Sequence, residues 1–370
     1  MQSPKSNRVY LPVMKSIYSI FIYLLLLSSC ANIVAPTGGE KDTDSPEILN
    51  KTIFEKEGIT SIDFTFNEYI QLNKWEEYFY ISPPTEKRIQ KKIKGKVLTL
   101  TIEDTLAKNT TYNIALNNCI KDNNEGNILD TLNYILSTSD KIDSLTLSGK
   151  LQDAYTLTAV ENAWIMLFEV NRADSIIFKE KPNYIAKTNK NGDFHFPNLN
   201  SNNYTIVSLT DFDFIYNEEE KIAFLNTVVN AERDSFISLL SFDPIVIIDS
   251  IIKDSTIIEV DNTTTTDSLV IEEIKYGNLT IISAENKQCI FQLFQNKKVI
   301  SEFNFTEQPF LLTDITPGKY QIKYIADSNR DRKWTTGSWK KRAQAEQVIN
   351  YPSEITIRSN WDLELKWKLK

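Results

Sequence analysis

Asp327, Asn329 and Asp331 open the run DSNRDRKWTTGSW at its first, third and fifth positions, the early spacing at which oxygen ligands line a calcium loop. The rest of such a loop is missing. Arg332 stands where an EF-hand needs glycine, Ser338 stands where it needs a bidentate glutamate, and Arg330, Arg332 and Lys333 oppose a divalent ion. Calcium on Asp327, Asn329 and Asp331 is therefore a weak candidate, and a turn braced by Asp327, Asn329 and Trp334 is the expected arrangement. The same stretch offers a second chemistry. Six basic residues lie between Arg330 and Arg342, and Arg330, Arg332 and Lys333 together with Trp334 and Trp339 could contact a protein, a glycan or acidic headgroups. Trp334 and Trp339 are five residues apart and cannot share a strand face, so at least one is expected to be exposed.

Catalytic chemistry finds less support. His195 is the single histidine in 370 residues, which argues against a histidine-based triad or a multi-histidine metal site. It falls between Phe194 and Phe196, on the outward phase of a strand. Aspartates and glutamates are plentiful, but no two can be placed from sequence as an acid and base pair. No catalytic residue, metal or dissociable cofactor is expected, and the chain is not expected to be an enzyme. Cys119 and Cys289 are far apart, which argues against a disulfide framework.

The elements that must carry these residues are strands. With 41 basic and 49 acidic residues the net charge is -8, so no chain-wide basic field exists for nucleic acid. Aromatic residues are frequent and often alternate with polar ones, as half-buried strands require. SIDFTFNEYI places Ile62, Phe64 and Phe66 on one face, with Asn67 and Glu68 ending the strand; YFYISPP, KVLTLTIE and TTYNIALN continue the period of two. Asn191-Gly192 signals a hairpin before Phe194 and Phe196, and Tyr204 to Leu209 reads as a strand. Leu199 to Asp211 superposes without gaps on Ile315 to Asp327, pairing Tyr204 with Tyr320 and Asp211 with Asp327, so two related modules in tandem are expected. Trp361, Leu363, Leu365 and Trp367 alternate as a closing strand.

Ahead of the strands, Met14 to Cys30 reads MKSIYSIFIYLLLLSSC: a basic start, an apolar run too short to span a bilayer, and a small-residue ending. Met14 reads as a better start than Met1. Leu27, Ser28, Ser29 and Cys30 resemble a bacterial lipobox, which implies that Cys30 carries diacylglycerol and acyl (palmitate) groups as the first mature residue. The expected organisation is a signal peptide over 1–29, a lipidated cysteine and tether over 30–45, an Ig-like domain over 46–138, a sandwich over 145–240, extended loops over 241–274 around DNTTTTDS, and a related sandwich over 275–370.

PTGGEKD, DSPEIL, ITSIDFTFNEYI, YFYISPP, GKVLTLTI and IKDNNEGNIL, in that order, resemble the N-terminal Ig-like domain of Bacteroidota outer-membrane lipoproteins, a type similar to modules of S-layer proteins. The later TxxxGxFxFxxLxxxxYxI pattern resembles the prealbumin-like or carboxypeptidase-regulatory sandwich, which implies Gly192 at a turn and Phe194, Phe196 and Tyr204 in a core. DSNRDRKWTTG resembles a DxNxDGxWDTG element near the end of such lipoproteins, with Lys333 and Thr335 departing from it. The fold class is therefore all-β: tandem Ig-like and prealbumin-like sandwiches after a lipoprotein signal peptide. The resemblance implies a non-enzymatic outer-membrane lipoprotein that scaffolds an envelope assembly, its partners being the membrane and another outer-membrane or periplasmic protein, not nucleic acid. A cell-surface glycan- or protein-binding lipoprotein is the alternative. The resemblance also implies that a surface-exported member carries an acidic signal just after the cysteine; Ala31, Asn32 and Ile33 stand there instead, which favours the periplasmic face.

Overall fold

The computed structural model describes residues 40–170, 175–211, 213–244, 275–283 and 288–369. Met14 to Cys30, where the signal peptide and the lipidated cysteine are expected, lies outside the described residues, as does most of the stretch 241–274. The chain divides into two units, Met1–Asp44 and Ser45–Lys370. Residues 40–44 of the first are exposed, with the Asp44 amide donating to Asp42 Oδ1.

The second unit is built almost wholly of strands. Its first sandwich contains β1 (Ile48–Lys56), β2 (Ile59–Phe66), β3 (Ile70–Leu72), the short helix α1 (Trp75–Tyr78), β4 (Tyr80–Ser82), β5 (Gln90–Lys94), β6 (Val97–Ile102), β7 (Thr111–Ala115), β8 (Ile120–Asp122) and β9 (Asn133–Ser137). Sheets β1-β2-β6-β5 and β4-β7-β9 enclose the core, and β3 pairs with β8. The alternation in β2 has its expected effect, because Ile62, Phe64 and Phe66 are fully buried and each such side chain contributes about 1.5–3 kcal/mol. β7 departs from alternation: all five residues are buried, since its second face meets the next sandwich rather than water.

That next sandwich runs through β10 (Leu145–Asp153), β11 (Trp164–Glu169), β12 (Tyr184–Lys187), β13 (Asp193–Leu199), β14 (Asn203–Leu209), β15 (Ile222–Phe224), β16 (Val229–Asn230) and β17 (Phe236–Ser241). The third runs through β18 (Gly277–Ile282), β19 (Cys289–Gln295), β20 (Lys298–Phe305), β21 (Phe310–Ile315), β22 (Gly318–Ala326), β23 (Val348–Asn350), β24 (Ile355–Ile357) and β25 (Asp362–Lys366). Their topologies are the same strand for strand. One has sheets β13-β10-β17 and β12-β11-β14-β15 with β16 on β14; the other has β21-β18-β25 and β20-β19-β22-β23 with β24 on β22. Both place the first and last strands side by side in parallel. Both also close a corner with tyrosine: Tyr204 donates to Asn200 O at 3.4 Å and Tyr320 to Thr316 O at 2.7 Å, each four residues upstream. The repeat seen over thirteen residues thus extends across eight strands.

Asn191-Gly192 corrects one expectation. Gly192 has φ +76°, and a Cβ there would collide with Leu151 O, so glycine is required. The turn joins no hairpin, however, because β12 and β13 belong to opposite sheets and the chain crosses between them. Phe194 and Phe196 point inward and His195 outward, as the period of two predicts. Trp361 is 53% exposed, while Trp367 is buried with its ring 6.1 Å from Phe291. Cys119 and Cys289 are free and sit in separate cores, where burial pushes each thiol up to about 12. Among the described residues no helix is long and apolar enough to cross a membrane.

Candidate functional site

The loop that follows β22 gathers every residue singled out for metal or partner binding. Asp327 is 3% exposed and its two oxygens are spent inside the loop: Oδ1 accepts from the Asp331 amide at 3.1 Å, and Oδ2 from the Arg332 amide at 3.1 Å and Gln288 Nε2 at 2.9 Å. Asn329 Oδ1 accepts from the Asp331 amide at 3.0 Å, while its Nδ2 donates to Asp331 Oδ2 at 2.9 Å and Thr335 Oγ1 at 2.6 Å. Asp331 Oδ1 accepts from the Lys333 amide at 2.8 Å. Burial would raise the Asp331 carboxyl, but bonds from Asn329, the Lys333 amide and Thr335 outweigh it and hold the group below its ordinary value. These oxygens shape a turn instead of converging on a cation. Among the described residues no cluster of three or more His, Cys, Asp or Glu side chains could hold a metal.

The turn has an organiser that the sequence did not reveal. Glu346 accepts from the amides of Ser328 at 2.6 Å, Asn329 at 3.3 Å and Thr335 at 2.9 Å, closing the loop from beyond its far end. Burial raises its carboxyl more than these donors lower it. Arg332, which occupies the glycine position of a calcium loop, nevertheless adopts φ +61°, and Arg330 has φ +65°. The left-handed backbone survives where glycine does not. Both side chains, with that of Lys333, are exposed.

The tryptophans correct the partner-binding expectation. Trp339 is 5% exposed and enters a second apolar cluster on the outer face of the middle sandwich's β12-β11-β14-β15 sheet, edge-on to Phe224 at 5.0 Å and beside Phe242. Arg342 covers its ring at 3.5 Å. Gly337 makes this entry feasible, since a Cβ there would run into the Phe242 ring and stand 2.8 Å from Ala343 O. Trp334 is half-buried, donates from Nε1 to Glu346 O at 3.0 Å, and lies 5.0 Å from the Tyr155 ring. Neither ring is a free contact, because the loop's partner is the preceding sandwich of the same chain.

Polar bonds complete the bracket. Thr336 Oγ1 donates to Asp243 O at 2.6 Å, Gln344 Nε2 to Phe224 O at 3.0 Å, and Asn226 Nδ2 to Arg342 O at 2.9 Å. Tyr155 reaches the other way, donating to Gln292 Oε1 at 2.8 Å on β19. Lys323 on β22 donates to Tyr155 O at 2.7 Å with its ammonium 3.8 Å from the ring centre. Burial pushes Lys323 down to about 8, against the weaker pull of Asp153.

The first and second sandwiches meet differently. Ser82 Oγ accepts from the buried Ile185 amide at 3.0 Å, Lys181 Nζ donates to Thr85 O at 3.1 Å and pairs with Glu86 Oε2 at 3.1 Å, and Lys187 Nζ donates to Glu77 O. Tyr80 packs edge-on to Trp164 at 5.5 Å, and burial pushes its hydroxyl up to about 12. Beside this contact a cleft of about 430 Å³ remains open between β7 and β13.

A sequence profile described as a bacterial Ig-like domain matches residues 43–159, which covers the first sandwich and extends through β10. No curated protein matches the chain by sequence. Among solved structures, the Bacillus anthracis TIE protein aligns at 11% identity and TM-score 0.19 over 96% of this chain and 62% of its own length. Native alpha-2-macroglobulin from Escherichia coli spanning domains MG0-NIE-MG1 aligns at 10% identity and TM-score 0.21 over 82% of this chain and 96% of that one. The S-layer protein rSbsC(31-844) aligns at 11% and 0.19 over 86% and 41%. The chain thus spans 62% of the Bacillus anthracis protein. The molecule is an all-β chain that carries a bacterial Ig-like domain ahead of two repeated β-sandwiches.

Proposed function

We propose that the protein is a non-enzymatic lipoprotein, held in the outer membrane by diacylglycerol and palmitoyl groups on Cys30, that serves as a scaffold or accessory subunit of an envelope protein assembly. The observation that carries this reading is the bracket over 327–346. A loop with the composition of a ligand contact is spent on fixing two sandwiches to one another, which suits a rigid spacer better than a receptor. Placement on the periplasmic face rests on Ala31, Asn32 and Ile33, where an acidic export signal would stand. The partner is another outer-membrane or periplasmic protein.

Cells fed an alkyne fatty acid should label the wild-type chain and not Cys30→Ser, and affinity isolation in mild detergent should recover a second envelope protein in constant ratio. Recovery of the lipoprotein alone would overturn the scaffold reading, and equal labelling of Cys30→Ser would overturn the anchor. Protease shaving of intact cells should leave the chain whole; its removal would favour the surface-binding alternative, for which the exposed Arg330, Arg332 and Lys333 remain available.

A further inference from the structure

The cleft between the first and second sandwiches holds a polar group that the protein leaves unsatisfied. Asn113, central in β7, is 5% exposed, and its Oδ1 has no hydrogen-bond partner among the described residues. An acceptor left in that state costs about 1–3 kcal/mol unless water or a ligand donates to it. Asn113 is one of the residues lining the cleft.

The surrounding groups define what would fit. Asn133 Oδ1 accepts from Asn117 Nδ2 at 3.4 Å, and Asn189 Oδ1 accepts from the amides of Asn191 at 2.8 Å and Asp193 at 3.0 Å. The Nδ2 donors of Asn133 and Asn189 have no acceptor among the described residues. In the same cleft, His195 is held through Nδ1 by Ser148 Oγ at 2.9 Å. Phe236, the first residue of β17, lines the same cleft with 64% of its surface exposed. Charge is sparse: Lys187 and Asp193 cancel formally, and the Lys187 ammonium already donates to Glu77 O.

We infer that this cleft is a binding site for a neutral saccharide. Hydroxyl groups both donate and accept, so they match the amide side chains around the cleft, where the Nδ2 donors of Asn133 and Asn189 are open and Asn113 is unsatisfied. A lone pair of opposed charges gives an anion or a cation no net attraction. The exposed Phe236 ring supplies an apolar face for the C–H side of a sugar, and the volume falls in the range of small-ligand sites. The site needs both sandwiches, since Asn113 and Asn133 come from one and Asn189, His195 and Phe236 from the other. The inference is independent of the scaffold role and of acylation.

The test uses the full chain in a detergent without a sugar headgroup, titrated by calorimetry with maltotriose, laminaritriose and chitotriose at millimolar concentration. At least one should bind, and both Asn113→Leu and Phe236→Ala should weaken it by about tenfold or more, equivalent to about 1.4 kcal/mol. Phe236 is exposed, so its alanine variant should keep the wild-type melting temperature and guard against a folding artefact at Asn113. Absence of binding by all three, binding unchanged in the Phe236→Ala variant, or preferential binding of inorganic phosphate or trialanine would each overturn the assignment.

Discussion

The two joints of this molecule solve the same problem in opposite ways. Between the second and third sandwiches, Trp339 is driven into an apolar cluster on the outer face of its neighbour's sheet, and Trp334, Tyr155 and Lys323 seal the contact beside it. Between the first and second, directional bonds from Ser82, Lys181 and Lys187 hold the domains and leave a polar cleft beside them. Burial energy grows with area and tolerates no gap, whereas a hydrogen-bonded joint can keep polar groups accessible. The aromatic joint therefore reads as a fixed coupling, and the polar joint as the place where a ligand can enter.

The contrast can be broken most forcefully at Trp339. Trp339→Ala should cost about 3–5 kcal/mol and split chemical denaturation into separate transitions for the last two sandwiches. A single unshifted transition would mean that the ring is not the coupling. Gly337→Ala should cost about 1–3 kcal/mol by forcing the Phe242 ring and Ala343 O aside, read as a lower denaturant midpoint with unchanged slope.

A pH experiment separates the joints without changing their shape. Below pH 8 Lys323 is charged in both the native and the unfolded chain, so its burial weighs on the native state. As pH rises above about 8 the native state loses the proton while the unfolded lysine keeps it up to 10.5, so stability should rise through that window. The slope from this group is at most about 1.4 kcal/mol per pH unit. Lys323→Met should flatten the rise, and a variant that retains it in full would assign the effect elsewhere. The smallest expected change is at the polar joint: Ser82→Ala removes the acceptor for the buried Ile185 amide and should cost about 1 kcal/mol, seen as faster hydrogen exchange at Ile185.

Much of the fold was legible because strands advertise their own faces. Ile62, Phe64 and Phe66 alternate in sequence and are buried together, and Tyr204 and Tyr320 mark equivalent corners of equivalent modules. The site was less legible because periodicity says nothing about which neighbour covers a second face. TYNIA looks half-buried until another sandwich packs on β7. Trp334 and Trp339 lie in an aperiodic loop, so their spacing could not disclose that Tyr155 was the destination of the first and Phe224 and Phe242 that of the second. Glu346 was equally hidden, since its role depends on three amide groups brought to it by the turn.

The parallel pairing of first and last strands in each repeated sandwich bears on mechanical load. The ladder between β10 and β17 runs from Ser148–Phe236 to Asp153–Ser241, and that between β18 and β25 from Asn278–Asp362 to Ile282–Lys366. Tension drawn between the start of β10 and the end of β17 pulls the two strands past one another along their length. All bonds of the ladder then bear the force in shear together, instead of opening one at a time. Single-molecule stretching should show both repeats yielding at higher force than the same sandwiches pulled across the sheet.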